Sequence, residues 1–499
     1  MIEFKKFYVT TPIYYVNDVP HIGHAYTTIA ADILARWHRL KGEKVFFLTG
    51  LDEHGQKIEE AALEMGLTPQ ELVNSLAPKF KKTWENLNIS NDDFIRTTEE
   101  RHAKVVTEII KRIYNNGDIY KGEYEGWYCV PCESFWTELQ LVNGKCPECG
   151  RDVKKIKEET YFFKLSKYQQ KLLDFYNQYP EFISPETRKN EMVNRVKEGL
   201  KDISITRTTV KWAIPFPFDE NHYLYVWIEA LVNYISALDF PDGEKFKTFW
   251  PPDVELIGKE INWFHTVVWP AMLFSARIEP PKKNFVHGWW TVDGKKMSKS
   301  LGNVIDPNKM VEKYGADAIR YYLFREVPFG QDGNFLESSL INRYNSELAD
   351  SLGNLVNRVL VLVEKNFEGV IPKHHENDRI ENLSLNIIKA VDESMDRLEF
   401  NVALNDIFYL INELNKYVNE TKPWEIKDKD KLGGVLYNLL ESMRIISILL
   451  YPFMPESAGK IMAQLGLEKE FSFDKLKWGV LKSGTKTKRD QILFNKIKG

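Results

Sequence analysis

Apolar and polar positions alternate along the chain in two distinct rhythms. Phe7 to Thr10 is a short apolar run of strand type. Ala25, Ile29, Ile33, Leu34, Trp37 and Leu40 then recur at helical spacing, and Gly42 ends that helix. Val45 to Thr49 is a second apolar run, so Phe7 to Thr49 predicts one β-α-β unit of a parallel sheet. Tyr225 to Tyr234 predicts a helix with Trp227, Ala230, Leu231 and Tyr234 on one face, at spacings of three, four and seven. Leu256 to His265 runs from a strand end into another helix. From Asn342 the rhythm is helical: Asn345 to Val363, Leu385 to Arg397, Ala403 to Glu420 and Leu432 to Leu450, with short polar or Pro/Gly stretches between. The expected fold class is α/β, a doubly wound parallel-sheet (Rossmann-like) domain, followed by an all-α helix bundle.

Four segments add chemistry to this pattern. Thr11 to His24 joins the first strand to the first helix and ends in His21-Ile-Gly-His24. Histidines at a helix start sit where free N–H groups and the helix dipole favour an anion, and Gly23 lets a ligand approach the backbone. This is a nucleotide-phosphate site without a P-loop; alone, so short a match also arises by chance. Asp52 lies in Gly50-Leu-Asp-Glu-His-Gly55, at a strand's carboxyl end, where open parallel sheets bind ligands. Lys295 to Gly302 follows an Asp293-Gly294 turn, so Lys296, Ser298, Lys299 and Ser300 fall on an exposed loop that can close over a triphosphate. The bland alternative is a solvated Lys/Ser loop. All four cysteines form one pattern: Cys129-x2-Cys132, thirteen residues, then Cys146-x2-Cys149. Two such turns bring four thiolates to tetrahedral reach of one structural zinc, a closed site with no catalytic role. Two disulfides are the weaker alternative, with no secretory signal and no other cysteine.

His21-Ile-Gly-His24 and Lys296-Met-Ser-Lys-Ser300 together match the two signatures of class I aminoacyl-tRNA synthetases, in the family's order. From about residue 4 to its end, the chain resembles the methionyl-tRNA synthetases. The resemblance implies that Tyr15, Trp227, Ala230, Leu231, Tyr234, Phe264 and His265 surround a methionine thioether. Ile13 would contact the amino acid and Asp52 its ammonium group. His21, Gly23 and His24 would hold ATP phosphates, and Gly258, Lys259 and Glu260 would lie near the nucleotide. Lys296 and Lys299 would stabilise the leaving pyrophosphate, helped by Mg²⁺. Leu231 stands where some relatives have proline, and Glu260 where they have aspartate. For any one of these aromatics, core packing is the commoner fate. The implied reaction has two steps: methionine and ATP give methionyl-adenylate, and the 3′-terminal adenosine of tRNA(Met) then takes the methionine.

The resemblance also implies an organisation. The Rossmann domain would occupy 1–116 and 223–306, split by an insertion at 117–222 whose zinc knuckle spans 126–152. A stem-contact linker at 307–344, a helical anticodon-binding domain at 345–480 and a terminal segment at 481–499 would follow. Isoleucyl, valyl and leucyl enzymes carry a much longer insertion, and cysteinyl enzymes disperse their zinc ligands. Asn354 and Arg358, four apart on one helix face, and Trp424 after Lys422-Pro423 would read the CAU anticodon. On its own, Trp424 is more often a core residue, and the match to the family's motif reverses that.

Composition sets bounds. A chain of 499 residues predicts two or more domains. The net charge of −4, 67 basic against 71 acidic groups, argues against general nucleic-acid affinity, so RNA contact calls for a local patch such as the Lys-rich tail after Lys482. No apolar run looks long enough to span a membrane, and no targeting segment is evident, so a cytoplasmic location is expected. Many family members continue into an added tRNA-binding, dimer-forming domain; a monomer, or a separate chain supplying that domain, is expected here. A non-catalytic tRNA-binding relative is the rival reading. It should have lost His24, Asp52 or Lys299, and all three are present. Another nucleotidyltransferase would lack the helical half.

Overall fold

The structure is a computed structural model, and it describes residues 5–16, 19–130, 134–136, 138–147, 149–297, 302–373 and 378–497. Its centre is a six-stranded sheet of β1 (Lys6–Tyr15), β2 (Lys44–Asp52), β3 (Asp93–Arg96), β4 (Ile183–Ser184), β5 (Val254–Gly258) and β6 (Asn284–His287). The order is β3-β2-β1-β5-β6-β4 and every pairing is parallel. Strand order reverses between β1 and β5, and in such sheets the crevice outside the carboxyl ends at that point receives the ligand. The expected β-α-β unit is present, with α1 (Ile22–Leu40) between β1 and β2.

Two expectations need correction. The strand foreseen over Phe7–Thr10 runs on to Tyr15. Its pairing with β2 slips between Thr10 and Ile13: Thr10 opposes Leu48 and Ile13 opposes Gly50, so β1 carries one extra residue. Pro12 lies in this slip and has no N–H to give the ladder. Beyond it Ile13 to Tyr15 rejoin the sheet at the ligand end. The single helix foreseen over Tyr225–Tyr234 is two short ones, Val226–Ala230 and Asn233–Ser236. The Asn233 side chain donates to the Ala230 carbonyl at 2.8 Å, a local bond that competes with helix continuation.

Residues 117–222 build a second, antiparallel sheet around the long pair Ile119–Cys129 and Lys154–Phe163, flanked by Ser134–Trp136 and Ile203–Ser204. Ile183–Ser184 of the same stretch returns to the central sheet as its edge strand β4. After the sheet come the helices Pro307–Tyr314 and Ala316–Glu326, then a continuous helical run over residues 337–367, of which Tyr344–Gly353 is π-helical. Asp378–Asp396, Phe400–Thr421, Lys429–Leu450 and Pro455–Gln464 complete the bundle.

Lys429–Leu450 qualifies the expectation about apolar runs. It is long and apolar enough to cross a membrane by composition, with a mean hydropathy of 1.3 over its apolar stretch, yet from Leu432 to Leu450 it lies buried in the bundle. Such a pattern also marks the central helix of a bundle. Its buried Glu441 and Arg444 pair through two hydrogen bonds of 2.8 and 2.9 Å. Glu441 also accepts from the N–H groups of Val480 and Leu481, and Arg444 donates to the carbonyls of Lys475 and Lys477, which fastens the terminal segment.

The bundle and the sheet meet at α1. Asp32, fully buried in the middle of that helix, accepts from Arg320 at 2.6 Å and from Arg36 at 2.7 Å. Its other oxygen takes the N–H and hydroxyl of Ser90. Arg320, also fully buried, donates onward to the carbonyls of Phe453, Pro452 and Leu87. Removing one partner of a buried pair strands the other charge, which costs about 3–5 kcal/mol. Asp32→Ala should therefore lower the unfolding free energy by about that much. Replacing both partners by apolar residues, Asp32→Leu with Arg320→Met, should recover a good part of it. Denaturant titration of the two variants checks this, and equal loss in both would contradict it.

Candidate active site

A cavity of about 380 Å³ opens at the carboxyl ends of β1, β2, β5 and β6, at the point where strand order reverses. Of the residues singled out from the sequence, Ile13, Tyr15, His21, Gly23, His24, Asp52, Trp227, Ala230, Leu231, Tyr234, Gly258, Glu260 and His265 line it. Two do not. Phe264 stands behind Trp227, their rings stacked 4.3 Å apart and 6° from parallel. Lys259 turns to Asp332, at 2.6 Å, and covers the Trp289 ring. Lys299 lies outside the described residues, as does the side chain of Lys296. The backbone of Lys295–Lys296 pairs with Trp290–Val292, and Met297 reaches the cavity wall.

His21 is the N-cap of α1. Its Nδ1 accepts from the Gly23 N–H at 3.1 Å, and His24 Nδ1 accepts from the His21 N–H at 3.3 Å. This is a reciprocal cap of the Ser-x-x-Glu kind, built from two imidazoles. A ring nitrogen that accepts carries no proton, so each neutral ring holds its hydrogen on Nε2. The rings stack 3.7 Å apart. Enclosure, and then the neighbouring His21, push His24 well below the ordinary histidine range, so it is a neutral donor at pH 7. Gly23 has a second role besides ligand approach. A Cβ there would fall 2.9 Å from the His21 ring and displace the cap.

On the opposite wall, buried His265 donates from Nδ1 to the Ile261 carbonyl at 3.0 Å, so its Nε2 accepts from the Tyr234 hydroxyl at 2.7 Å. Burial pushes His265 down to about 4. Asp52, 7% exposed, ends β2 beside Tyr15, its register partner on β1. The Lys57 ammonium lies 5.1 Å from the Tyr15 ring. Carboxylate, aromatic rings and neutral imidazoles thus face one another across a space suited to a small zwitterion with an apolar tail.

Several residues escaped the sequence reading. Glu229, fully buried on the helix that carries Trp227, accepts from His54 at 2.6 Å and sits 3.3 Å from buried His102. Burial alone would lower His54, but the Glu229 carboxylate outweighs it and raises the ring. This network fixes the Trp227 helix against the loop after Asp52. His54 stands two positions from Asp52 and Glu229 one from Ala230, in segments already noted, but only the fold joins them. Thr27 bonds His287 at 2.8 Å, and the Trp289 indole donates to Glu260 at 2.6 Å. Isolated histidines and tryptophans gave no signal for these.

In the antiparallel insertion, the sulfurs of Cys129, Cys146 and Cys149 lie within 4.8 Å of one another; Cys132 lies outside the described residues. Cys129 and Cys149 stand 3.6 Å apart, far beyond a disulfide bond of about 2.05 Å. A sulfur tetrahedron around zinc at about 2.3 Å has edges of about 3.8 Å, so the three thiols fit that ion. In the bundle, Trp424 is 54% exposed, which disposes of the core alternative. The Arg358 guanidinium lies 5.8 Å from its ring centroid and donates to Asn419. Asn354 is exposed one turn earlier on the same helix.

Comparison with known proteins follows this geometry. A family model described as tRNA synthetases class I (M) matches residues 7–157 and 152–360, and one described as the anticodon-binding domain of tRNA ligase matches 380–493. The methionine–tRNA ligase of Caldanaerobacter subterraneus subsp. tengcongensis is 53% identical over 99% of this chain and 79% of its own. That of Clostridium acetobutylicum is 48% identical over 100% of this chain and 79% of its own. Among solved structures, Mycobacterium tuberculosis methionyl-tRNA synthetase in complex with methionyl-adenylate superimposes with a TM-score of 0.95. It is 41% identical and covers 98% of this chain and 100% of that one.

The His265 geometry generates a pH prediction. The folded value, about 4, lies below the ordinary 6.5. The unfolded chain therefore binds the proton first as pH falls. The stabilisation is whole above pH 6.5 and is lost between pH 6.5 and 4, at about 1.4 kcal/mol per unit, about 3 kcal/mol in all. His265→Gln should flatten the stability profile across that window in denaturant titrations at graded pH. Superimposable slopes would refute the assignment.

Proposed function

The chain belongs to the methionyl-tRNA synthetases of class I, ligases that join methionine to tRNA with ATP, and we propose that the residues around its central cavity divide that work between phosphate, amino acid and tRNA. The observation that carries this division is the facing of two walls in one cavity. The His21–His24 cap lies at the start of α1, and Asp52, Tyr234 and His265 lie across from it.

On the amino-acid side, Asp52 takes the ammonium group. Tyr15, Trp227, Ala230, Leu231, Tyr234 and His265 enclose the thioether, with Ile13 beside the backbone of the amino acid. Phe264 acts at one remove, by stacking on Trp227. The pairing of Tyr234 with neutral His265 orients both groups, and a thioether faces rings rather than charges there. On the nucleotide side, the Nε2–H groups of His21 and His24 donate to phosphate oxygens without bringing a charge, next to the N–H groups of the α1 terminus. Gly258 and Glu260 border the nucleotide. Lys259, held by Asp332, lies outside the cavity wall and would have to leave that pair to reach the nucleotide. Lys296 and Lys299 supply compact positive charge to the departing pyrophosphate, and Mg²⁺ bound with ATP supplies further charge neutralisation. The methionine carboxylate attacks the α-phosphorus, and no protein nucleophile is used. Catalysis is by positioning and charge stabilisation. The intact Asp52, His24 and cavity argue against a non-catalytic relative.

Methionine alone among the twenty amino acids should support rapid exchange of pyrophosphate into ATP; comparable exchange with isoleucine or cysteine would sink the residue roles. His24→Ala should slow adenylate formation by about 10²–10³, the usual effect of losing one preorganised donor, with little change in methionine affinity. Unaltered single-turnover rates would exclude it from the phosphate site.

Cys129, Cys132, Cys146 and Cys149 would hold one structural zinc, which would tie together the hairpin ends of the insertion. Metal analysis should find one zinc per chain, and Cys146→Ala should release it and lower the melting temperature of the insertion. A chain without zinc but with two disulfides would contradict this.

Asn354, Arg358 and Trp424 would read the anticodon, with the exposed indole stacking on a base. Trp424→Ala should leave methionine-dependent exchange intact and cut tRNA aminoacylation roughly ten- to a hundredfold, since one stack is worth about 1–3 kcal/mol. A parallel fall of both activities would assign the indole to stability instead.

A further inference from the structure

We propose that a second cleft, next to the first cavity, seats the penultimate cytidine of the tRNA 3′ end. The cleft has a volume of about 510 Å³ and lies between the antiparallel insertion and the carboxyl end of β5. Only a thin partition separates the two spaces. Glu260 lines both, and Phe264, on the cleft side, stacks on Trp227, on the cavity side. A strand whose last nucleoside enters the cavity lays the preceding one in this cleft. The inference rests on the ligase reading, which supplies that strand.

The lining says what kind of group fits. Two buried donors point to an acceptor-bearing ligand: Trp136 Nε1 and Asn262 Nδ2 have no hydrogen-bond partner among the described residues, and both side chains line the cleft. Asn262 is 2% exposed. A buried donor left unsatisfied is expensive, so two facing one cleft are accounted for by a bound partner. The Trp263 indole lines the same cleft, with the Arg195 guanidinium 4.0 Å from its ring centroid. An aromatic plane backed by a cation is a stacking platform for a nucleobase. Four basic and four acidic side chains border the cleft, so it carries no net charge. That balance favours a neutral base over a free phosphate. Cytosine offers two acceptors, O2 and N3, for the two orphan donors, and its amino group can donate to the acidic rim.

The test uses the full chain with two variants, Trp263→Ala and Arg195→Ala, and two tRNA substrates, intact and lacking the base of the penultimate cytidine. Methionine-dependent pyrophosphate exchange without tRNA should be unchanged in both variants. With intact tRNA, Trp263→Ala should lose about ten- to a hundredfold in aminoacylation kcat/KM, the usual effect of one lost base stack, and Arg195→Ala less. With the abasic tRNA, the unsubstituted chain and both variants should aminoacylate equally, because the base that the cleft reads is gone. Arg195 is exposed, so its variant keeps the fold where loss of the indole disturbs it. The proposal is overturned if both variants aminoacylate intact tRNA normally. It is equally overturned if the defect persists in full on abasic tRNA, or if exchange falls with aminoacylation in both variants. An unsubstituted chain without methionine-dependent exchange would instead bring down the residue assignments of the first cavity, a different result.

Discussion

Asp32 ties the molecule together. It sits at the middle of α1, the helix whose first turn carries the two imidazoles, and its carboxylate holds Arg320 of the helix that follows the sheet. Through Arg320 and Arg36 the same carboxylate reaches the backbone at residues 452 and 453 and the hydroxyl of Tyr451, at the foot of the bundle's central helix. A buried charge pair is weak evidence for net stability, because desolvation consumes most of the attraction. Its value here is geometric. An ion pair satisfied on every side admits one arrangement of its partners, so the phosphate-facing end of α1 and the bundle are held in one relation.

The chemistry at the two ends of α1's surroundings is notably short of charge. The helix start offers N–H groups and two imidazoles whose Nδ1 atoms take part in the cap, with His24 kept neutral by its enclosure. The amino-acid wall offers one carboxylate, rings, and a histidine that burial keeps neutral. Positive charge at the cavity lies on Lys57, beside Tyr15, and in the reading proposed above on the lysines of the 296–300 loop and the metal that accompanies the nucleotide. Fixed dipoles in a closed space stabilise developing phosphate charge without reorganising, whereas charged groups packed against one another would have to be desolvated first.

Much of this was legible because it is local. The β-α-β unit, the helical half and the cysteine spacing follow from periodicity and from short-range spacing, and the cavity does gather most of the residues named from the sequence. What escaped is non-local or a matter of one hydrogen bond. Pro12 hides the continuation of β1 because the bulge that absorbs it depends on pairing with β2. Asn233 breaks a helix whose periodicity is intact. Phe264 stacks on Trp227 from the side of the neighbouring cleft, a placement that no spacing rule gives. The Glu229 network joins segments 54, 102 and 229, which no spacing rule connects. Trp424 by residue type alone is more often a core residue, and its exposure of 54% places it on the surface.

If the bundle reads an anticodon base as proposed, that contact lies far from the central cavity, and a rigid body couples the two differently from a relay. The bundle presents Arg358 and Trp424 on its outer face, while Asp32 and Arg320 fix its inner end to α1. With the inner end fixed, a tRNA seated on the outer face as proposed would have its acceptor end delivered at a set distance and angle. Remote binding energy is then spent on placing the terminal ribose, as catalysis by differential binding requires. No second conformation of the bundle is needed for that economy. If Trp424 stacks on an anticodon base as proposed, a tRNA with the wrong anticodon would lack that stack and spend less time in the one productive pose. On this view discrimination resides in occupancy of that pose, and the stiffness of the Asp32 junction is what converts a contact on one domain into alignment on the other.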